Sequence, residues 1–186
     1  MILYVNACIR PDSRTARIAE ALLAKLGGAY EEIRLGEEQP EPLTRERLEK
    51  RTALIEKGDY ADPMFRLARQ FQAAEQIVIA APYWDLSFPA VLKTYLENVY
   101  VTGLVSEYGA DGRPRGLCRG KKLYYVTTAG GPYFPDFSYA YIQALATQCF
   151  GIPETELIRA EMLDVDGFDP ERLVTEAIRA LGASGA

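Results

Sequence analysis

Short apolar runs alternate along the chain with longer stretches in which apolar residues recur at helical spacing. The runs are "ILYV" (Ile2–Val5), "YEEIRL", "QIVIAA", "KKLYYVTT" and "ELIRAEML". They are rich in β-formers and short enough to be strands, and the most apolar of them read as buried on both faces. "TARIAEALLAKLGG" places Ala16, Ile18, Ala19, Leu22, Leu23 and Leu26 on one helical stripe. Ser13 is its expected N-cap and Gly27-Gly28 its stop. "TRERLEKRTALIEKG" predicts a charged, exposed helix capped by Thr44, after an acidic loop "GEEQPEPL". "DPMFRLARQFQAAE", "FPAVLKTYLENVY", "FSYAYIQALATQCFG" and "DPERLVTEAIRALG" predict four more helices, the last with Asp169 as cap and Pro170 at its first position. "SEYGADGRPRGLCRG", with its "DG" turn, predicts a hairpin or excursion before the fourth strand.

Five β/α units without repeat or linker predict one α/β domain over residues 1–186. Its expected core is a doubly wound five-stranded parallel sheet, order 2-1-3-4-5, with helices on both faces. In such sheets the ligand lies beyond the carboxyl ends of the strands, so the loops after strands one, three and four should carry unusual residues. The first loop, "NACIRPDSRT", joins the Ser13 and Thr15 hydroxyls, Arg10 and Arg14 to the free amides of a helix start. That combination suits an anion. It is neither GxGxxG nor a Walker loop. The second, "AAPYWDLSF", sets Pro82, Tyr83, Trp84, Asp85 and Leu86 where a buried strand emerges, either as a lid on the core or as a platform for a planar ligand. The third, "TTAGGPY", includes Thr128, Ala129, Gly130, Gly131 and Tyr133, and its paired glycines can bring backbone amides close to a ligand or simply form a turn.

Composition narrows the chemistry. The chain has 186 residues, 48% hydrophobic and 25% charged, with a net charge of −5. That profile fits a packed domain and offers no basic surface for nucleic acid. No run approaches the ~20 apolar residues of a membrane helix, and the first residues have no basic leader segment, so neither membrane insertion nor export is expected. Cys8, Cys118 and Cys149 form no CxxC pair, which fits a reducing cytoplasm better than disulfides or zinc. There is no histidine, so Ser-His-Asp and Cys-His catalysis are excluded.

"YVNACIRPDSRTARIAEAL", "VIAAPYWDLSFPAVLKTYLENV" and "GKKLYYVTTAGG" resemble, in order and spacing, the FMN-dependent NADH azoreductases and NAD(P)H:quinone reductases of the flavodoxin-like superfamily. The likeness spans nearly the whole chain. It implies a homodimer that binds FMN non-covalently, takes electrons from NADH or NADPH, and passes two of them by a ping-pong cycle to a small-molecule acceptor, a quinone or azo compound. By the same resemblance Cys8, Ser13, Arg14 and Thr15 should meet the FMN phosphate. Pro82 to Leu86 should run beside the isoalloxazine, and Thr128 to Gly131 should contact its pyrimidine side. The chain departs from the family pattern at Cys8, where serine is frequent, at Asp85, where asparagine is frequent, and at Ala129, where arginine stands. The Asp85 backbone, rather than its carboxylate, is therefore the expected flavin contact. The competing readings are a flavodoxin-type electron carrier and a flavin-free relative of the same fold. A dimer is also expected from the helix "FPAVLKTYLENVY", whose Val91, Leu92, Tyr95, Leu96, Val99 and Tyr100 spread widely around its axis.

Overall fold

A computed structural model describes residues 1–134 and 137–181. Strands β1 (Ile2–Asn6), β2 (Tyr30–Arg34), β3 (Gln76–Ala80), β6 (Lys122–Thr128) and β7 (Glu154–Ala160) form one parallel sheet in the order β2-β1-β3-β6-β7. Counted among themselves these five run 2-1-3-4-5, as the alternation predicts. β4 (Ser106–Tyr108) and β5 (Pro114–Gly116) pair antiparallel as the separate hairpin expected around the "DG" turn.

Alternate residues of each central strand enter two different cores, as a strand buried on both faces requires. Leu3, Val5, Ile77, Ile79, Leu123 and Tyr125 face one side; Tyr4, Val78, Ala80, Tyr124 and Val126 face the other. The second side is covered by α1 (Arg14–Leu26) and α7 (Pro170–Ala180) through Ile18, Ala19, Leu22, Leu23 and Val174. The first is covered by α4 (Arg66–Ala73), α5 (Ala90–Val99) and α6 (Tyr139–Ala144) with the turn after it. The expected caps are in place. Ser13 Oγ accepts from the Ala16 amide, Thr44 Oγ1 from that of Arg47, and Asp169 Oδ1 from those of Glu171 and Arg172.

The structure departs from the pattern in four places. The acidic loop after β2 begins with one helical turn, α2 (Leu35–Glu38), because Leu35 is drawn fully into the core. The charged helix α3 (Arg45–Glu56) follows it, and α4 is entered through a 3₁₀ turn over Pro63–Phe65. The helix expected from Phe137 starts as α6 (Tyr139–Ala144) and widens into a π turn over Leu145–Phe150, closed by Gly151 at φ 76°. That turn seats Phe150 against Phe71 and Tyr100, with ring centroids 5.0 and 5.5 Å apart. Lastly, α5 sinks into its own domain: Leu92, Tyr95, Leu96 and Val99 are buried, and Val91 and Tyr100 pack partly against the same core. Its wide apolar surface is therefore spent internally and does not call for a second copy. The last expected helix reaches Gly182, which lies outside the described residues. Among those described, no helix is long and apolar enough to cross a membrane.

Candidate functional site

Beyond the carboxyl ends of β1, β3, β6 and β7 the loops enclose a cleft of about 400 Å³. That lies within the ~300–1,000 Å³ span of small-molecule sites. Its walls bring together Arg10, Ser13, Arg14 and Thr15 of the first loop, Pro82, Tyr83 and Trp84 of the second, and Thr128, Ala129 and Gly130 of the third.

The first loop supplies positive potential. α1 starts at Arg14, and the Ser13, Arg14 and Thr15 amides find no acceptor among the described residues. Unpaired amides at a helix start carry about half a positive charge. Thr15 is buried, and its Oγ1 lies 2.6 Å from Thr128 Oγ1, which straps the first loop to the third. Cys8 stands behind this loop rather than in the cleft lining: its Sγ points at the Ala80 carbonyl, 3.8 Å away. Burial, the larger effect, outweighs a hydrogen bond with Ser13 and pushes the thiol up from 9.0 to about 11. It is a neutral packing group at physiological pH.

The second loop turns back on itself. Trp84 and Ser87 exchange two backbone hydrogen bonds, of 3.0 and 2.8 Å, around Asp85 and Leu86, both in the left-handed region at φ 50° and 67°. Two consecutive left-handed residues make a type I′ turn. It lifts Asp85 and Leu86 to an exposed tip outside the cleft lining, while Trp84, 40% exposed, remains on the rim. The Tyr83 amide is engaged by the Thr128 carbonyl, and the Trp84 amide within the turn, so neither is free for a ligand. Tyr83 packs its ring 4.6 Å from that of Tyr133. Tyr133 lies behind the wall, buried, with its hydroxyl 2.6 Å from Ser138 Oγ and the Arg159 guanidinium over its ring.

A fourth loop, after β7, is the part that pattern reading missed. Leu163 and Asp164 line the cleft, as do Ile9 and Asp12 of the first loop. The amides of Met162, Leu163 and Asp164 bond to the carbonyls of Gly131, Ala129 and Gly130. The third loop is thus zipped to the fourth. A Cβ on Gly130 would sit 2.5 Å from Asp164 Oδ2, so the glycine makes room for a carboxylate of the chain itself. Gly131 has open space but is not in the cleft lining. Loops after every strand of a parallel sheet end at the same edge, and that rule applied to β7 is the signal that would have found Asp164.

A family model described as a flavodoxin-like fold matches residues 1–184. An FMN-dependent NADH:quinone oxidoreductase of Coprothermobacter proteolyticus is 30% identical over 191 residues, covering 96% of this chain and 94% of its own. FMN-dependent NADH:quinone oxidoreductase 2 of Clostridium acetobutylicum is 33% identical over 190 residues, covering 95% and 94%. Among solved structures, an azoreductase from Bacillus anthracis superposes with a TM-score of 0.83 at 23% identity, over 97% of this chain and 95% of that one. An FMN-dependent NADH-azoreductase of the same species, in complex with FMN, gives 0.82 at 20%, over 97% and 94%. Matched along almost its whole length, the protein belongs to the flavodoxin-like fold family.

Proposed function

We propose that this protein is an FMN-dependent NAD(P)H oxidoreductase, built as one FMN-binding domain, that passes two electrons to quinones or azo compounds by a ping-pong cycle. The observation that carries the reading is the cleft itself, in which a helix-start anion site opens onto walls made by Pro82–Trp84 and Thr128–Gly130. The donor set fits FMN. Free amides, the Ser13 hydroxyl and the Arg14 guanidinium suit a phosphate dianion, and the relatives at 30% identity or more are named for the same cofactor. Bound there, FMN supplies the redox chemistry, with NADH or NADPH as donor.

The chain's part is to bind, orient and exclude water. Ser13, Arg14 and Thr15 hold the phosphate end. Tyr83 and Trp84 form one wall beside the ring and Thr128, Ala129 and Gly130 another, with Ala129 leaving space that a larger side chain would fill. The acceptor enters past Trp84. Cys8, Asp85, Leu86, Gly131 and Tyr133 serve this site from behind or beside it, by packing and by shaping the rim.

The working unit is a homodimer in a reducing cytoplasm. Trp84, Leu86, Phe137 and Tyr141 stand exposed beside the cleft mouth, where Ser87 Oγ donates to the Phe137 carbonyl and Phe88 packs against Tyr141. This apolar rim, and not α5, is the surface a second copy would cover.

Stopped-flow mixing of the FMN-loaded protein with NADH or NADPH, then with quinones and azo dyes, tests the function. The expected result is fast flavin bleaching by a nicotinamide, reoxidation by the acceptor, and parallel double-reciprocal plots. Protein that binds FMN yet is reduced by neither nicotinamide would be an electron carrier. Protein that binds no flavin would overturn the reading.

A further inference from the structure

The geometry points to Asp164, on the loop after β7, as a positioning residue that holds Arg14 for the phosphate end of the cleft. The inference rests on the FMN reading above. Arg14 Nη1 donates to Asp164 Oδ1 at 2.9 Å and to the Leu163 carbonyl at 3.4 Å. Both protons of that nitrogen are then used, while the remaining guanidinium N–H groups find no acceptor among the described residues. An arginine gripped at one nitrogen and lining a cleft is pre-organised to receive an anion with the others.

An exposed ion pair alone would carry little, because a freely moving carboxylate neither orders its partner nor resists screening. Asp164 is not freely moving. Three backbone hydrogen bonds fix its loop on Ala129–Gly131, with Met162 turned through φ 67° at the bend. Its carboxylate also rests against Gly130, where even a methyl group would displace it. The chain Gly130–Asp164–Arg14 therefore ties the third loop to the first. The side chain of Asp164 is 72% exposed and that of Arg14 35%. Water screens the carboxylate's repulsion of a phosphate more than it screens the guanidinium's attraction, so positioning outweighs repulsion.

A double-mutant cycle on FMN binding to the apoprotein tests this, with riboflavin, which has no phosphate, as the comparison ligand. Asp164→Asn should weaken FMN binding about five- to tenfold, Arg14→Met by a similar factor, and the pair together no further than either alone. Gly130→Ala, which removes neither charge but would displace the Asp164 carboxylate, should reproduce the loss of FMN binding, and should add nothing on top of Asp164→Ala. In Asp164→Asn and Arg14→Met, riboflavin binding, however weak, should stay unchanged, and the apoprotein's thermal midpoint should hold within a few degrees. Unchanged or tighter FMN binding by Asp164→Asn, additive losses in the cycle, or equal losses for riboflavin would overturn the assignment while leaving the functional reading intact. A parent that binds neither flavin would overturn both.

Discussion

Cys8 and Trp84 show how far one side chain's surroundings decide its role. Cys8 stands beside a helix start, where a thiol can be activated, yet burial wins and its proton is held to about 11. A thiol whose folded value lies above its ordinary 9.0 contributes stability that is complete below pH 9 and lost as pH rises toward 11. Thermal midpoints should accordingly fall over that window, and Cys8→Ala should make the fall shallower. At pH 8 its alkylation by iodoacetamide should be far slower than that of a free thiol; rapid labelling would show a reactive thiol in place of a packing group. Trp84 follows a buried strand but is 40% exposed on the rim. Because it is the only tryptophan, its emission should be quenched when FMN binds and recover when FMN is stripped. Trp84→Ala should cost well under the ~3–5 kcal/mol of an aromatic core deletion and act mainly on the reaction with the acceptor. A protein severely destabilised by this change, with emission indifferent to flavin, would place Trp84 in the core.

At the level of elements, the strands and most caps were legible because each rests on a local rule. Alternating burial marks a two-faced strand, and Ser13, Thr44 and Asp169 sit where hydroxyl or carboxylate caps belong. Most of what stayed hidden depends on partners distant in the chain. Gly130 reads as a ligand-facing turn until Asp164 is seen against it, and "DL" at Asp85-Leu86 carries no glycine to announce a type I′ turn. α5 looked too apolar for one buried face, but α2 and α4 pack on it as well as the sheet. The π turn gave no signal of its own, and it matters to the hairpin. A Cβ on Gly116 in β5 would fall 2.0 Å from the Phe150 carbonyl carbon and the Gly151 amide nitrogen. Backbone cannot yield as a flexible side chain does, so Gly116→Ala should undock the hairpin and cost several kcal/mol by forcing backbone apart, about as much as a severe overpacking change. Denaturant titration measures it. A cost within ~0.5 kcal/mol would mean the hairpin is only loosely seated.

Across the whole molecule, the order of strands has a consequence for how the protein is made. β1 lies inside the sheet, and Ile2 pairs with Tyr30 on one side and Gln76 on the other. A ribosome delivers β1 first, yet its second neighbour is the third of the five parallel strands to be made. Until β3 has cleared the exit tunnel, Leu3 and Val5 have no second flank, and β3's own outer edge must wait for β6. Such non-local pairing favours late, cooperative closure over stepwise growth from the N-terminus. Nascent chains arrested before Gln76 should therefore be protease-sensitive throughout. Protection should appear in one step, and only after β6 has emerged. Early protection of the β1–β2 segment would show instead that this half assembles by itself.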